Sequence, residues 1–257
     1  MTIELRNPHS VMAALKRRPQ DVIEVRLRTN RPSPVWTDVA DFARQCGVPV
    51  RRGGGRAPGR GGSRRNNNRE TERVGSAEAT VKPLDGVSLE SLFSGAESRA
   101  SGNGVWLALD CLQDLHNVGA FFRTASFFGI QGIIITRDKS APLNHTVYDI
   151  AAGGLESVPF SVQTNLSRTL SKAKESGVWV LGTSEHASDS LATVSRDRPW
   201  LVVVGNEEKG LRRLTIENCD CVCSIPGFGE VTSLNVSVAT GILLSTLSGA
   251  TPSIAEG

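Results

Sequence analysis

Trp200–Gly210 reads WLVVVGNEEKG: five apolar residues, then a loop of Gly, Asn, Glu and Lys. A strand that is apolar at every position belongs inside a sheet covered on both faces. The same pattern recurs along the second half of the chain. VWLALD (105–110), GIIIT (132–136), a stretch near 157–162, VWVLGT (178–183) and CVCSIP (221–226) all read as strands. Helical segments separate them. The segment after Asn117, VGAFFRTASFFG, has apolar residues at 118, 121, 122, 125 and 128, which is a helical period. A short helix near 145–152, LSRTLSKAKESG ending at Gly177, a short helix over 214–218 and a last helix from Ser233 onward complete the alternation. Strands alternating with helices predict an α/β fold built on a parallel sheet. In such sheets ligands sit beyond the carboxyl ends of the strands. The three most unusual loops, DCLQDLHNVG, GNEEKG and PGFGEVTS, all follow strands.

Upstream, HSVMAALKR (9–17) suggests a helix and DVIEVRL (21–27) a strand. VWTDVADFARQCGVPV (35–50) suggests a helix then a strand, and ATVKPL (79–84) one more strand. These predict a small α/β domain over 1–84, a linker over 85–104, a larger domain over 105–249 and a tail over 250–257. An Arg/Gly/Asn-rich insert at about 51–75 interrupts the small domain, with too few apolar side chains to offset the entropy of ordering. Between Arg51 and Arg69 it holds seven arginines (Arg51, Arg52, Arg56, Arg60, Arg64, Arg65, Arg69) and no acid. The net charge is +3, so the chain without those seven stands at −4. Concentrated charge on a flexible backbone suits RNA, whose phosphates Arg pairs with and whose bases it stacks on. A solvated spacer is the plainer reading of the same segment.

Of 257 residues, 39% are hydrophobic, enough for a buried core, and no run nears the ~18 apolar residues of a membrane span. MTIELRNPHS lacks the apolar stretch of a signal peptide, so a cytoplasmic protein is expected. Cys219, Cys221 and Cys223 alternate, as cysteines on one face of a strand would; a metal site would need other spacing and nearby His. The phosphate-binding motif GxxxxGK[ST], a GxGxxG after a strand, and the GxSxG nucleophile elbow are absent. His116 and His145 have no evident serine partner and read as local hydrogen-bonding residues. The loops offer glycines, main-chain groups, and Asn117, Arg123, Glu207, Ser233 and Asn235. Taken singly, Ser233 and Asn117 are better explained as helix N-caps than as catalysts, and Glu207 as a solvated acid. Arg123, set in FFRTASFF on a half-buried helix, calls for an anionic or polar partner.

Three of these segments together resemble a known family. NVGAFFRTASFFG resembles the first motif of the SpoU (TrmH-like) branch of the SPOUT RNA methyltransferases, with its N-x-G-x-x-x-R core at Asn117, Gly119 and Arg123. GNEEKGL (205–211) resembles the second motif and IPGFGEVTSLNVSVATG the third. The motifs occur in order, and KSAPLNHTVYDIAAGGLESVPF is similar to the bacterial enzymes that modify guanosine of 23S rRNA. NPHSVMAAL resembles the start of the small RNA-binding domain those enzymes carry, which the Arg/Gly insert departs from.

The resemblance implies a SPOUT domain with a C-terminal trefoil knot, a homodimer, and S-adenosylmethionine held by Gly205, Ile225 and Leu234. It implies methyl transfer to a ribose 2′-hydroxyl with no metal. Arg123 would be the catalytic residue. A guanidinium keeps its proton up to pH ~12, so stabilising charge on the 2′-oxygen suits it better than acting as a base. Asn117 would position Arg123 or the ribose, Glu207 would orient Arg123 or substrate, and Ser233 and Asn235 would complete the polar pocket. Glu208, often Gly in relatives, is a departure. The same residues admit a tRNA 2′-O-methyltransferase, or a non-catalytic RNA-binding or ribosome assembly factor on the same fold.

Overall fold

The computed structural model describes residues 1–53, 77–96, 104–231 and 233–249. The chain separates into two units, Met1–Asp85 with Leu143–Ser157, and Gly86–Pro142 with Val158–Gly257.

In the first unit, β1 (Ile3–Leu5), β2 (Val22–Leu27), β3 (Val50–Arg52) and β4 (Ala77–Val81) form a sheet in the order β1-β4-β2-β3. β4 runs antiparallel to both its neighbours, and β2 and β3 are parallel. Helix Pro8–Arg17 starts where Pro8 needs no N–H partner and Asn7 accepts from the His9 N–H at 2.9 Å. It buries Val11, Ala14 and Leu15, and helix Pro34–Gln45 buries Trp36, Val39 and Ala40. Arg51 and Arg52 are exposed at β3, with Arg51 Nε 3.1 Å from Glu24 Oε2. Arg56, Arg60, Arg64, Arg65 and Arg69 lie outside the described residues, as do 97–103 of the expected linker and the tail.

Leu143–Ser157, expected in the larger domain, folds with the first unit instead. Its helix His145–Ala151 buries Val147, Tyr148 and Ala151. Asp149 Oδ1 accepts from the main-chain N–H groups of Arg6 and Asn7, each at 2.9 Å. Tyr148 Oη accepts from Leu84 N–H at 2.8 Å, and its carbonyl accepts from Ser10 Oγ at 2.7 Å. Gly153 has φ of 95°, and a Cβ there would lie 2.9 Å from that of Ala13. Arg18 clamps Glu156 through Nε to Oε2 (2.8 Å) and Nη2 to Oε1 (2.6 Å), with both side chains buried. Sequence order is silent about such pairing, because each partner finds the other from some 140 residues away.

The second unit holds the sheet that the apolar strands predict. β5 (Val105–Leu109), β6 (Gly132–Thr136), β7 (Phe160–Gln163), β8 (Trp179–Thr183), β9 (Asp189–Ser190), β10 (Trp200–Val204) and β11 (Cys221–Ser224) run in the order β7-β6-β5-β10-β8-β11-β9. Every pairing is parallel. All of β5, β6 and β10 is buried, each large side chain contributing about 1.5–3 kcal/mol. On one face Trp106, Val180, Leu201 and Val203 meet Leu166, Leu170 and Ala173 of helix Leu166–Glu175.

Local details differ from expectation. The two-residue strand β9 and β1 are too short to show a period. Helix Leu115–Phe127 starts before Asn117 and is capped by Asp114, which accepts from His116 N–H at 2.8 Å. The last helix is Val236–Leu247, and its cap is Asn235 rather than Ser233. Asn235 Oδ1 takes both the N–H (2.9 Å) and the hydroxyl (2.6 Å) of Ser237. That helix is not buried all round: Leu243, Leu244 and Leu247 are covered, but Val238 is 52% exposed. The three cysteines do not share one strand face. Cys219 precedes β11, and a Cβ on Gly182 would meet both Cys219 Sγ and Val222. Val222 therefore shares the Cys219 side, and alternation sends Cys221 and Cys223 to the other.

Candidate active site

The strand order puts β5 beside β10, so two of the three unusual loops leave the sheet together. The Asp110 N–H donates to the Val204 carbonyl at 2.9 Å, extending the ladder to its carboxyl edge. From there one chain turns through Cys111, at φ of 60°, into helix Leu115–Phe127. The other enters a tight hairpin in which Asn206 and Gly210 exchange main-chain hydrogen bonds of 3.1 and 2.8 Å. Gly205 is obligatory there: a Cβ would lie 2.2 Å from the Gly210 carbonyl carbon. Gly210 itself takes a φ of 64°, which a residue with a side chain rarely adopts.

Within the hairpin Asn206 acts as a brace. Its Oδ1 accepts from the N–H groups of Glu208 (3.1 Å) and Lys209 (3.2 Å), and its Nδ2 donates to the Cys111 carbonyl at 3.1 Å and to Glu207 Oε2 at 3.3 Å. The other oxygen, Oε1, accepts from Asn117 Nδ2 at 3.2 Å. The first and second motifs are thus joined side chain to side chain. Glu207 is neither a free acid nor bonded to Arg123; it holds Asn117, a buried residue one turn into its helix.

Arg123 lies on the exposed side of its half-buried helix, and among the described residues it has no ion-pair or hydrogen-bond partner. Its aromatic neighbours in sequence, Phe121 and Phe122, turn inward, because a helix separates adjacent residues by about 100°. Ser233 and Leu234 are exposed ahead of the last helix, and Ile225 is half-buried just past β11. Gly205 and Ile225 leave the carboxyl ends of β10 and β11, the two strands that flank β8. Among the described residues, no hydrogen bond engages the main chain of Ile225–Val231. Glu208 is exposed at the hairpin tip. His116 is exposed on its helix, and His145 lies in the first unit, 3.3 Å from the Thr146 hydroxyl.

Further residues tie the two loops together. Asp110, fully buried, accepts at Oδ2 from Arg212 Nε (3.1 Å) and from the Thr215 hydroxyl (3.0 Å). Its Oδ1 lies 2.7 Å from Arg212 Nη2, close enough for charge pairing but off the line of a hydrogen bond. The bond to Asp110 holds the Arg212 guanidinium more firmly protonated than usual. Cys111 donates its N–H to the Thr136 hydroxyl at 2.9 Å, and burial, with Asp110 beside it, pushes its thiol pKa up. Its thiol is therefore a poor nucleophile. Asp110, Asn206, Arg212 and Thr215 were not evident in sequence, where each looks like an ordinary strand-end or surface residue; the only hint is an acid closing VWLALD.

This fold is shared with solved SpoU methyltransferases. AviRb of Streptomyces viridochromogenes, a SpoU methyltransferase, superposes with a TM-score of 0.73 at 16% identity over 96% of this chain and 89% of its own. An AdoMet-bound rRNA methyltransferase from Sinorhizobium meliloti gives 0.70 at 19% identity, covering 98% and 88%. Residues 104–245 match the model of the SpoU rRNA Methylase family. The 23S rRNA (guanosine-2′-O-)-methyltransferase RlmB of Pseudomonas aeruginosa is 38% identical over 238 residues, 92% of each chain. Its namesake in Nitrosomonas europaea is 35% identical, over 92% of this chain and 87% of the relative. The chain belongs to the SpoU rRNA methylase family.

Proposed function

We propose that this protein transfers a methyl group from S-adenosylmethionine to a ribose 2′-hydroxyl of large-subunit ribosomal RNA. The observation that carries the proposal is the Asn117–Glu207 bond, which draws the first two motifs together at the carboxyl edge of the sheet. The relatives that cover most of the chain are named for this reaction on 23S rRNA. In the cofactor pocket, Gly205 lets the hairpin close tightly and Ile225 and Leu234 supply apolar contact. The main chain of Ile225–Val231, unengaged among the described residues, offers donors and acceptors for a polar ligand. We read the chain through these loops as the trefoil knot of the family.

S-adenosylmethionine supplies a methyl on a positively charged sulfur, already electrophilic. The residues of this chain then have to place the 2′-oxygen in line and stabilise its developing charge. Arg123, exposed and unpartnered among the described residues, does this as a cation toward the 2′-oxygen and the neighbouring phosphate. Asn117, its Nδ2 spent on Glu207, turns Oδ1 to a ribose hydroxyl. Ser233 adds its hydroxyl. Asn235, whose Oδ1 caps the last helix, adds only its amide N–H groups. No metal enters this mechanism, and the described residues hold no cluster of His, Cys, Asp or Glu suited to one.

A homodimer completes the reading. Helices Leu115–Phe127 and Val236–Leu247 pack together, and beside that seam Phe127 (83% exposed), Val238 and Ile242 are uncovered. Two such faces would bury each other. The arginines from Arg51 to Arg69 contact RNA phosphates. No described helix is long and apolar enough to cross a membrane, and we place the protein with its rRNA substrate in the cytoplasm.

The test is to incubate the protein with labelled S-adenosylmethionine and either deproteinised 23S rRNA or tRNA, then map 2′-O-methyl groups. Methylation of 23S rRNA is expected. Methylation of tRNA alone would move the substrate, and no calorimetric binding of S-adenosylmethionine would leave an RNA-binding assembly factor.

A further inference from the structure

The active-site hairpin is held at both of its ends by groups that take no part in the chemistry above. At its start, Asn206 Nδ2 reaches the Cys111 carbonyl; just past its end, Arg212 and Thr215 both reach Asp110. Asp110 and Cys111 are consecutive and continue β5, the strand that leads to Asn117. A buried carboxylate is costly unless paired, so Asp110 holds Arg212 and Thr215 wherever β5 ends. Arg212 meets Asp110 with one Nε–H hydrogen bond and a charge contact from Nη2, two points that set direction as well as distance. The hairpin between these anchors presents Glu207 to Asn117.

We propose that Asp110 and Arg212 are positioning residues for methyl transfer: their ion pair fixes the 205–211 hairpin to β5 so that Glu207 meets Asn117 in register. The proposal rests on the placement of Glu207 and Asn117 in the active site. Releasing the clamp lets Glu207 drift while every group that touches substrate remains. Misplacement by about 1 Å in such a site costs on the order of 100-fold in rate.

The test is a double-mutant cycle on the full-length protein, with kcat and RNA KM measured at saturating S-adenosylmethionine. Asp110→Asn is expected to lower kcat by roughly 10- to 100-fold with little change in RNA KM. In a Glu207→Ala background the same substitution should cost less than ~3-fold, because the residue it positions is gone. A merely structural role predicts the full loss again, and that result would overturn the proposal, as would wild-type kcat in Asp110→Asn. If Asp110→Asn fails to fold, Arg212→Lys replaces it; the charge stays but the fork is lost, and the same non-additivity is expected. Should Glu207→Ala alone keep wild-type kcat, the active-site placement fails, separately from the clamp.

Discussion

Glu207 and Arg123 are both charged residues in motif positions, and the structure gives them opposite situations. Glu207 is engaged at both oxygens, by Asn117 and Asn206. Arg123 is exposed and unengaged among the described residues. A charge held by two neutral amides is a fixed acceptor; a solvated guanidinium is available to a ligand. Arg123→Ala is therefore expected to remove detectable methylation while leaving S-adenosylmethionine affinity within about threefold, since truncating a group that acts only in the transition state lowers kcat. Labelled-methyl transfer and calorimetry on one preparation check both halves. Residue types were legible in the sequence through their motif spacing. Their partners were not: the family resemblance implied that Glu207 orients Arg123 or the substrate, whereas Glu207 bonds Asn117 and Asn206 and the helix turns Arg123 outward.

Among the elements, the last helix shows how far a hydropathy pattern carries. VSVATGILLSTL is apolar enough to suggest burial on every side, yet the chain itself covers only the face of Thr240, Leu243, Leu244 and Leu247. Val238 and Ile242 stay open. Val238→Asp or Ile242→Asp is expected to convert a dimer to monomers in analytical ultracentrifugation with the helix content unchanged; a dimer persisting in both variants would place the interface elsewhere. β11 and the turn before it carry a second expectation. Burial pushes the thiols of Cys219 and Cys223 up to about 12 and about 11 from an ordinary 9.0. Above pH 9 the unfolded chain releases these protons while the folded chain keeps them, so stability is full below that pH and falls as pH rises toward 11–12. The urea midpoint should drop between pH 8 and 10.5, and drop less in Cys219→Ala/Cys223→Ala. Periodicity pointed to burial of these thiols, but it also implied one shared face, because it counted Cys219 into a strand that starts later.

For the molecule as a whole, chain order and spatial units disagree at one place. Leu143–Ser157 is flanked on both sides by residues of the second unit and belongs to the first. Arg18 and Glu156 secure it, with side chains only 7% and 2% exposed. Removing one partner of such a pair strands the other charge in the interior, at a cost of about 3–5 kcal/mol. Glu156→Ala is expected to lower the unfolding midpoint of the first unit accordingly, whereas Arg44→Ala, which breaks the exposed pair with Asp41, should shift it by less than about 1 kcal/mol. Hydrogen exchange resolved by residue reads both. A fragment starting at Gly86 keeps 143–157 but loses the residues they bury against, and should expose Tyr148 to solvent quenching.

By itself the sequence determined the α/β class, the parallel sheet, nearly every strand and helix, and the three unusual loops that follow the strands. These follow from local pattern: an all-apolar strand has only one kind of home, and glycines and polar residues after it mark the edge. Tertiary structure alone decided that β10 lies beside β5, that Asp110 anchors Arg212, that Glu207 holds Asn117, and that 143–157 joins the first unit. Each of these is a pairing between residues about 90 to 140 positions apart. Hydropathy and propensity act over a turn or a strand, so only the folded chain could choose the partners.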